Sequence, residues 1–199
     1  FFYMLVAVSV SLIPMQYARI LVIAVFALAN LRFAVQVSRY WGKSEHTSTA
    51  LLHNLPAPGD KTVILLNLPE SIHGIPMIGS QKEGEFKLMH NLLLPERKLD
   101  NKIYDVLSYN MERPDNGAYV IVLNDSMVRV TLKQWGTWWW YEGKGGHSYE
   151  NEDYKLNLGD AGHFYELTMK KPAANYLLLF QAVDKWVTVD MNKKQIEQY

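Results

Sequence analysis

The chain contains no cysteine. That excludes a disulfide framework, a thiolate zinc site and a cysteine nucleophile. It carries no net charge either, because 20 Lys and Arg offset 20 Asp and Glu over 199 residues. A neutral chain lacks the bulk positive charge that draws a protein to nucleic acid, so nucleic acid is not an expected partner. No G-x-S-x-G elbow, P-loop or G-x-G-x-x-G pattern occurs, and with them go the usual sequence signs of acyl transfer and phosphate cradling. His46, His53, His73, His90 and His163 show no metal-ligand spacing. Neither a metal nor a cofactor is assigned.

One absence is local. Residues 1–41 hold Arg19, Arg32 and Arg39 but no acidic side chain, a formal +3, so the rest of the chain carries −3. This opening stretch is apolar. Residues 1–13 (FFYMLVAVSVSLI) are uncharged, residues 14–17 (PMQY) interrupt, and residues 18–37 (ARILVIAVFALANLRFAVQV) follow. About 20 apolar residues cross a bilayer as a helix. The second run is long enough, although Asn30 and Arg32 lie within it, and Arg32 would have to snorkel or face protein. Tyr40 and Trp41 beside Arg39 suit an interfacial belt. The leading expectation is a transmembrane helical hairpin over 1–41, truncated at its N-terminus, with membrane lipid as a partner. A packed amphipathic helix and a secretion signal stay open, but a signal would open on basic residues and end on small ones.

Beyond a boundary near Trp41, Gly42 and Lys43 the composition is mixed and suffices for a core: a domain of that size buries roughly 68–70% of its unfolded surface. Residues 44–55 (SEHTSTALLHNL) predict a short helix capped by Ser44 and stopped by Pro56 and Pro58. Residues 62–68 (TVILLNL) predict a strand buried on both faces. Residues 74–79 read as a turn and a short extended piece, 85–94 as a short helix closed by Pro95, and 103–111 (IYDVLSYNM) as strand rather than helix. From Asn116 onward, β-rich runs at 119–123, 128–132, 137–141, 154–158, 164–169, 176–180 and 186–189 alternate with turn clusters. Such spacing predicts an antiparallel meander, a sandwich or open barrel. The expected fold class is α+β: a small α/β segment over 42–112 packing on a β-meander domain over 113–191, with a fraying tail over 192–199.

Two constellations stand out. Trp135, Trp138, Trp139, Trp140 and Tyr141 crowd one strand. A strand sends alternate side chains to opposite faces, so one set fills core and the other can form a platform for sugar rings. Glu142 and His147 are near enough in sequence to bind the hydroxyls of such a ring. The candidate ligand-binding residues are therefore Trp138, Trp140, Tyr141, Glu142 and His147, and the competing reading is that these rings simply fill a core. The second constellation is His147, Glu150, Glu152, Asp153 and Asp160. It matches no EF-hand spacing and reads first as a solvated acidic loop. A hydrolase using Glu150 and Asp153 as paired carboxylates is a further, lesser reading. Asn124, Asp125 and Ser126 fit a glycosylation acceptor pattern but read first as a plain turn.

The runs LLNLPESIHGIPMIGS (65–80), IYDVLSYNM (103–111) and QWGTWWWYEGKGGHSYENEDYKLNL (134–158), set behind membrane segments, carry a resemblance. The chain resembles the C-terminal end of large bacterial polytopic membrane proteins related to lipid-sugar-dependent glycosyltransferases such as the protein mannosyltransferases. The resemblance implies a multi-pass membrane protein with an extracytoplasmic soluble domain at this end. In such enzymes the catalytic carboxylate belongs to an early extracytoplasmic loop, so no catalytic residue is carried over. The function it implies is a non-catalytic domain that contacts glycan, acceptor or lipid-linked sugar. The alternative is a structural or assembly module without a small ligand.

Overall fold

The computed structural model describes all residues except 1, 79–83, 112–117, 133–138, 141–147, 160–163, 183, 193–195 and 199. It divides into two compact units, Phe1–Gly42 and Lys43–Tyr199.

In the first unit, helix α1 (Phe2–Ser11) is followed by the long helix α2 (Gln16–His53). α1 touches α2 through Tyr3, whose ring meets Phe26 edge-on at 6.1 Å and whose hydroxyl donates to Asn30 Oδ1 at 3.4 Å. At the turn between the helices, Arg19 Nε donates to the Ile13 carbonyl. The most apolar 18-residue window of α2 has a mean hydropathy of 2.1, and none of it is buried within the protein. By length and composition α2 is able to cross a membrane.

α2 also corrects an expectation. Residues 44–55 do not start a separate helix, because α2 runs on through Gly42 to His53. One glycine costs only about 1 kcal/mol inside a helix, too little to end it without a proline. Ser44 caps nothing; its hydroxyl donates to the Pro76 carbonyl at 2.5 Å.

The second unit is built on sheets of mostly antiparallel strands. The first sheet has the order β13-β12-β1-β4, with β1 (Thr62–Leu65), β4 (Ile103–Asp105), β12 (Tyr176–Ala182) and β13 (Lys185–Thr188). Its three strands β12, β1 and β4 are parallel, and β13 is antiparallel to them. One face bears Ile64, Tyr104, Tyr176, Leu178 and Phe180, which share a core with the second sheet. The other bears Val63, Leu65, Leu177 and Leu179 and packs on Leu51 and Leu52 of α2 and on Phe86 of helix α3 (Glu85–Leu93). With both faces covered, β1 and β12 are buried almost throughout.

The second sheet is antiparallel, in the order β14-β6-β7-β11-β10-β9. It contains β6 (Ala118–Asn124), β7 (Met127–Leu132), β9 (Ser148–Glu150), β10 (Tyr154–Leu158), β11 (Phe164–Met169) and β14 (Ile196–Gln198). Asn124 turns the β6–β7 hairpin by accepting from the Ser126 N–H at 2.9 Å. The third sheet, β3-β2-β5-β8, holds β2 (Leu68–Ile72), β3 (Ile75–Pro76), β5 (Leu107–Met111) and β8 (Trp139–Trp140). Its parallel pair β2–β5 continues the pair β1–β4 in the same register, Leu65 opposite Asp105 and Leu68 opposite Ser108.

Two further expectations change. The division at residue 112 does not divide the sheets, since β12 of the later stretch lies between β1 and β13. Its unbroken apolar run is that of a strand covered on both sides, not of an alternating meander strand. The tail does not simply fray: β14 pairs with β6, Ile196 opposite Ile121, closing hydrogen-bonding groups that an edge strand would leave open.

Candidate functional site

The aromatic strand enters the fold at a sheet edge. β8 pairs only with β5 among the described residues, Trp140 opposite Leu107 and Trp139 opposite Ser108. Trp138, Tyr141, Glu142 and His147 lie outside the described residues. Beside β8, Ser108 is buried, and its hydroxyl finds no hydrogen-bond partner among the described residues.

In the acidic stretch, Glu150 and Glu152 are exposed, as a solvated loop requires, His147 and Asp160 lie outside the described residues, and Asp153 departs from the expectation. Asp153 is fully buried. Its carboxylate accepts from Lys171 at 2.6 Å, from Lys102 at 3.0 Å and from the Tyr104 hydroxyl at 2.8 Å, and the Tyr176 hydroxyl donates to its backbone carbonyl at 2.9 Å. Local sequence sets the turn: Asn151 Oδ1 accepts from the N–H groups of Asp153 and Tyr154 at 2.9 and 2.8 Å, aiming the carboxylate inward just before β10. The tyrosines come from β4 and β12, so this carboxylate ties the first sheet to the second. Burial pushes the Asp153 carboxyl up, but the hydrogen bonds from Lys171, Lys102 and Tyr104 outweigh it and bring it down to about 2. The Tyr104 and Tyr176 hydroxyls are pushed up to about 12, chiefly by burial and also by Asp153. They stay protonated and act as donors.

Glu152 pairs with Lys102 and Glu150 with Lys170, the latter at 2.7 Å. The Lys170 hydrogen bond holds Glu150 below the usual carboxylate range. Paired-carboxylate hydrolysis needs one carboxyl kept protonated as the acid. Here both candidates are held ionised by lysines. Among the described residues, no three His, Asp or Glu side chains gather as a metal-ligand set.

Sequence reasoning gave His90 no role, yet it lines a cavity of about 220 Å³ with residues 55–59, Arg97, Lys98, Leu99 and Asn101. The imidazole is buried, stands 6.5 Å from the Phe86 ring, and neither nitrogen has a hydrogen-bond partner among the described residues. The adjacent Asn91 amide is committed to Leu99, at 2.7 and 3.0 Å. Burial lowers the His90 pKa; the neighbouring Asn91 side chain opposes this, and the charge on Arg97 adds to it. Arg97 itself donates to the carbonyls of His53 and Leu55 at 2.8 and 3.1 Å, satisfying the C-terminal end of α2. The spacing of Phe86 and His90, one helical turn apart on the inward face of α3, was the available signal for His90.

A third buried group stands at the bend between β1 and β2. Asn67 Nδ2 donates to the Gln181 carbonyl at 3.0 Å and Asn67 Oδ1 accepts from the Gln181 N–H at 2.7 Å. Its side chain thus completes the ladder where the backbone turns away. The Tyr109 hydroxyl donates to Gln181 Oε1.

No family model matches the chain, and neither a curated protein nor a solved structure matches it.

Proposed function

We propose that the chain is the membrane-anchored, non-catalytic end of a glycosyltransferase-like membrane protein. In this reading α1 and α2 form a membrane hairpin of a multi-pass protein, and the β-rich unit is its extracytoplasmic domain. Trp138, Trp140, Tyr141, Glu142 and His147 contact a glycan or acceptor. The observation that carries the reading is the bare apolar surface of α2: a helix of hydropathy 2.1 with none of that window buried needs lipid or other helices around it. Glu150 and Asp153, both held ionised by lysines, support a non-catalytic role. The test is extraction of the chain from membranes with alkaline carbonate, followed by flotation with vesicles. It should stay with the lipid; release into the aqueous fraction overturns the anchor. For the glycan contact, Trp140→Ala should abolish any saturable oligosaccharide titration of the wild-type tryptophan emission, and an inert wild-type protein overturns that part.

A second reading, an assembly module without a small ligand, draws on α3. Leu88, Leu92 and Leu93 on its outer side are 59, 69 and 61% exposed, an apolar face of the kind that marks partner contacts.

A further inference from the structure

We propose that Arg32, Gln36 and Arg39 form a stripe on α2 that binds the phosphate of an anionic lipid headgroup. The inference rests on the membrane-anchored reading above. The three residues are spaced four and three apart, so they fall on one face of the helix. All three are exposed. Asn30, which receives Tyr3 of α1, precedes Arg32 by two residues, about 200° of helical rotation. The arginine stripe therefore points away from the face that α1 occupies. Neither arginine makes an ion pair among the described residues, and no Asp or Glu occurs before Glu45.

An unpaired arginine within a span has to reach headgroups or a protein partner. Arg32 lies about 7.5 Å along the helix axis inside Val37, a depth from which a long side chain reaches the interface. Arg39 stands at the level of Tyr40 and Trp41, the residue types that sit among headgroups. Gln36 lies between the two and donates to the Tyr40 hydroxyl at 3.1 Å, which leaves its carbonyl unable to oppose the positive charge as an acid would. Two guanidiniums about 10.5 Å apart along the helix axis, with no neighbouring anion among the described residues, are complementary to lipid phosphate.

The test reconstitutes the full chain in phosphatidylcholine vesicles and measures the motionally restricted fraction of spin-labelled phosphatidylglycerol against spin-labelled phosphatidylcholine. The wild type should prefer phosphatidylglycerol, by up to about fivefold for each arginine near the surface. Arg32→Gln with Arg39→Gln should bring the ratio to parity, and Arg32→Lys with Arg39→Lys should keep most of the preference. Parity in the wild type, or an unchanged preference in the glutamine variant, overturns the proposal and assigns Arg32 to a protein partner. Loss of the preference on adding inorganic phosphate at constant ionic strength also overturns it, in favour of a soluble anion. Carbonate extraction of the same vesicles separates the two readings: a chain that resists extraction but shows no lipid preference keeps its anchor and loses the stripe.

Discussion

Asp153 shows how much a single side chain carries in the second unit. A carboxylate removed from water is costly unless it is paired and fully hydrogen-bonded. Two lysines and a tyrosine meet that need here. Asp153→Asn keeps the shape but leaves Lys102 with Glu152 alone and takes the ion pair from Lys171; because both lysines are nearly half exposed, it should destabilise the unit by about 2 kcal/mol in urea unfolding. The pH dependence has a definite sign. The folded carboxyl titrates near 2 and its ordinary value is 3.8, so its stabilisation is complete above 3.8 and is lost as the pH falls from there towards 2. The loss is about 2 kcal/mol, and Asp153→Asn should remove this part of the acid slope.

At the scale of elements, α3 is held by one apolar face that includes a histidine. Phe86 packs into the layer between α2 and the first sheet and meets Trp186 edge-on at 5.8 Å, while the Trp186 indole donates to the Leu51 carbonyl at 2.7 Å. His90 sits in the same layer without partners for its nitrogens among the described residues. Burial lowers its pKa below 6.5, so the unfolded chain takes up the proton first. Stability contributed by neutral His90 is therefore present above pH 6.5 and declines as the pH falls through and below it. His90→Leu should flatten the pH dependence of the melting temperature in that window and raise it at the acid end. An unchanged slope would mean that another group governs the window. The same element offers Leu88 and Leu92 outward, so the two faces of α3 can be probed separately.

At the scale of the whole molecule the two units treat their apolar side chains differently. The first unit exposes its apolar side chains, with Leu21, Leu28 and Leu31 each 60% exposed or more, whereas the second buries its own between layers. Leu28→Asp near the middle of the apolar run should cost about 3 kcal/mol in membrane insertion. It should shift the chain towards the carbonate-soluble fraction and leave the urea unfolding of the β-rich unit unchanged. Coupled loss of both would show that the units do not behave independently.

The reach of sequence reasoning differs between these features for physical reasons. Apolar run length and the absence of acids before Glu45 are one-dimensional properties, so the apolar part of α2 and the unit boundary near Gly42 could be read directly from residues 1–42, whereas the continuation of α2 to His53 could not. Most strands were legible too, because side-chain alternation and turn residues such as Asn124 act locally. What only the tertiary structure decided were relations between distant residues. β12 kept its local hairpin with β13 and on its other edge became a parallel partner of β1, a central position in which both its faces are covered. The tail strand β14 found the open edge of β6. Asp153 became a buried keystone because Lys102, Tyr104, Lys171 and Tyr176 converge on it, and no local pattern in an acidic loop announces a lysine about fifty residues away. Burial and pairing are properties of the packed chain, so a charge read as solvated in sequence can be held dry once its partners are brought to it.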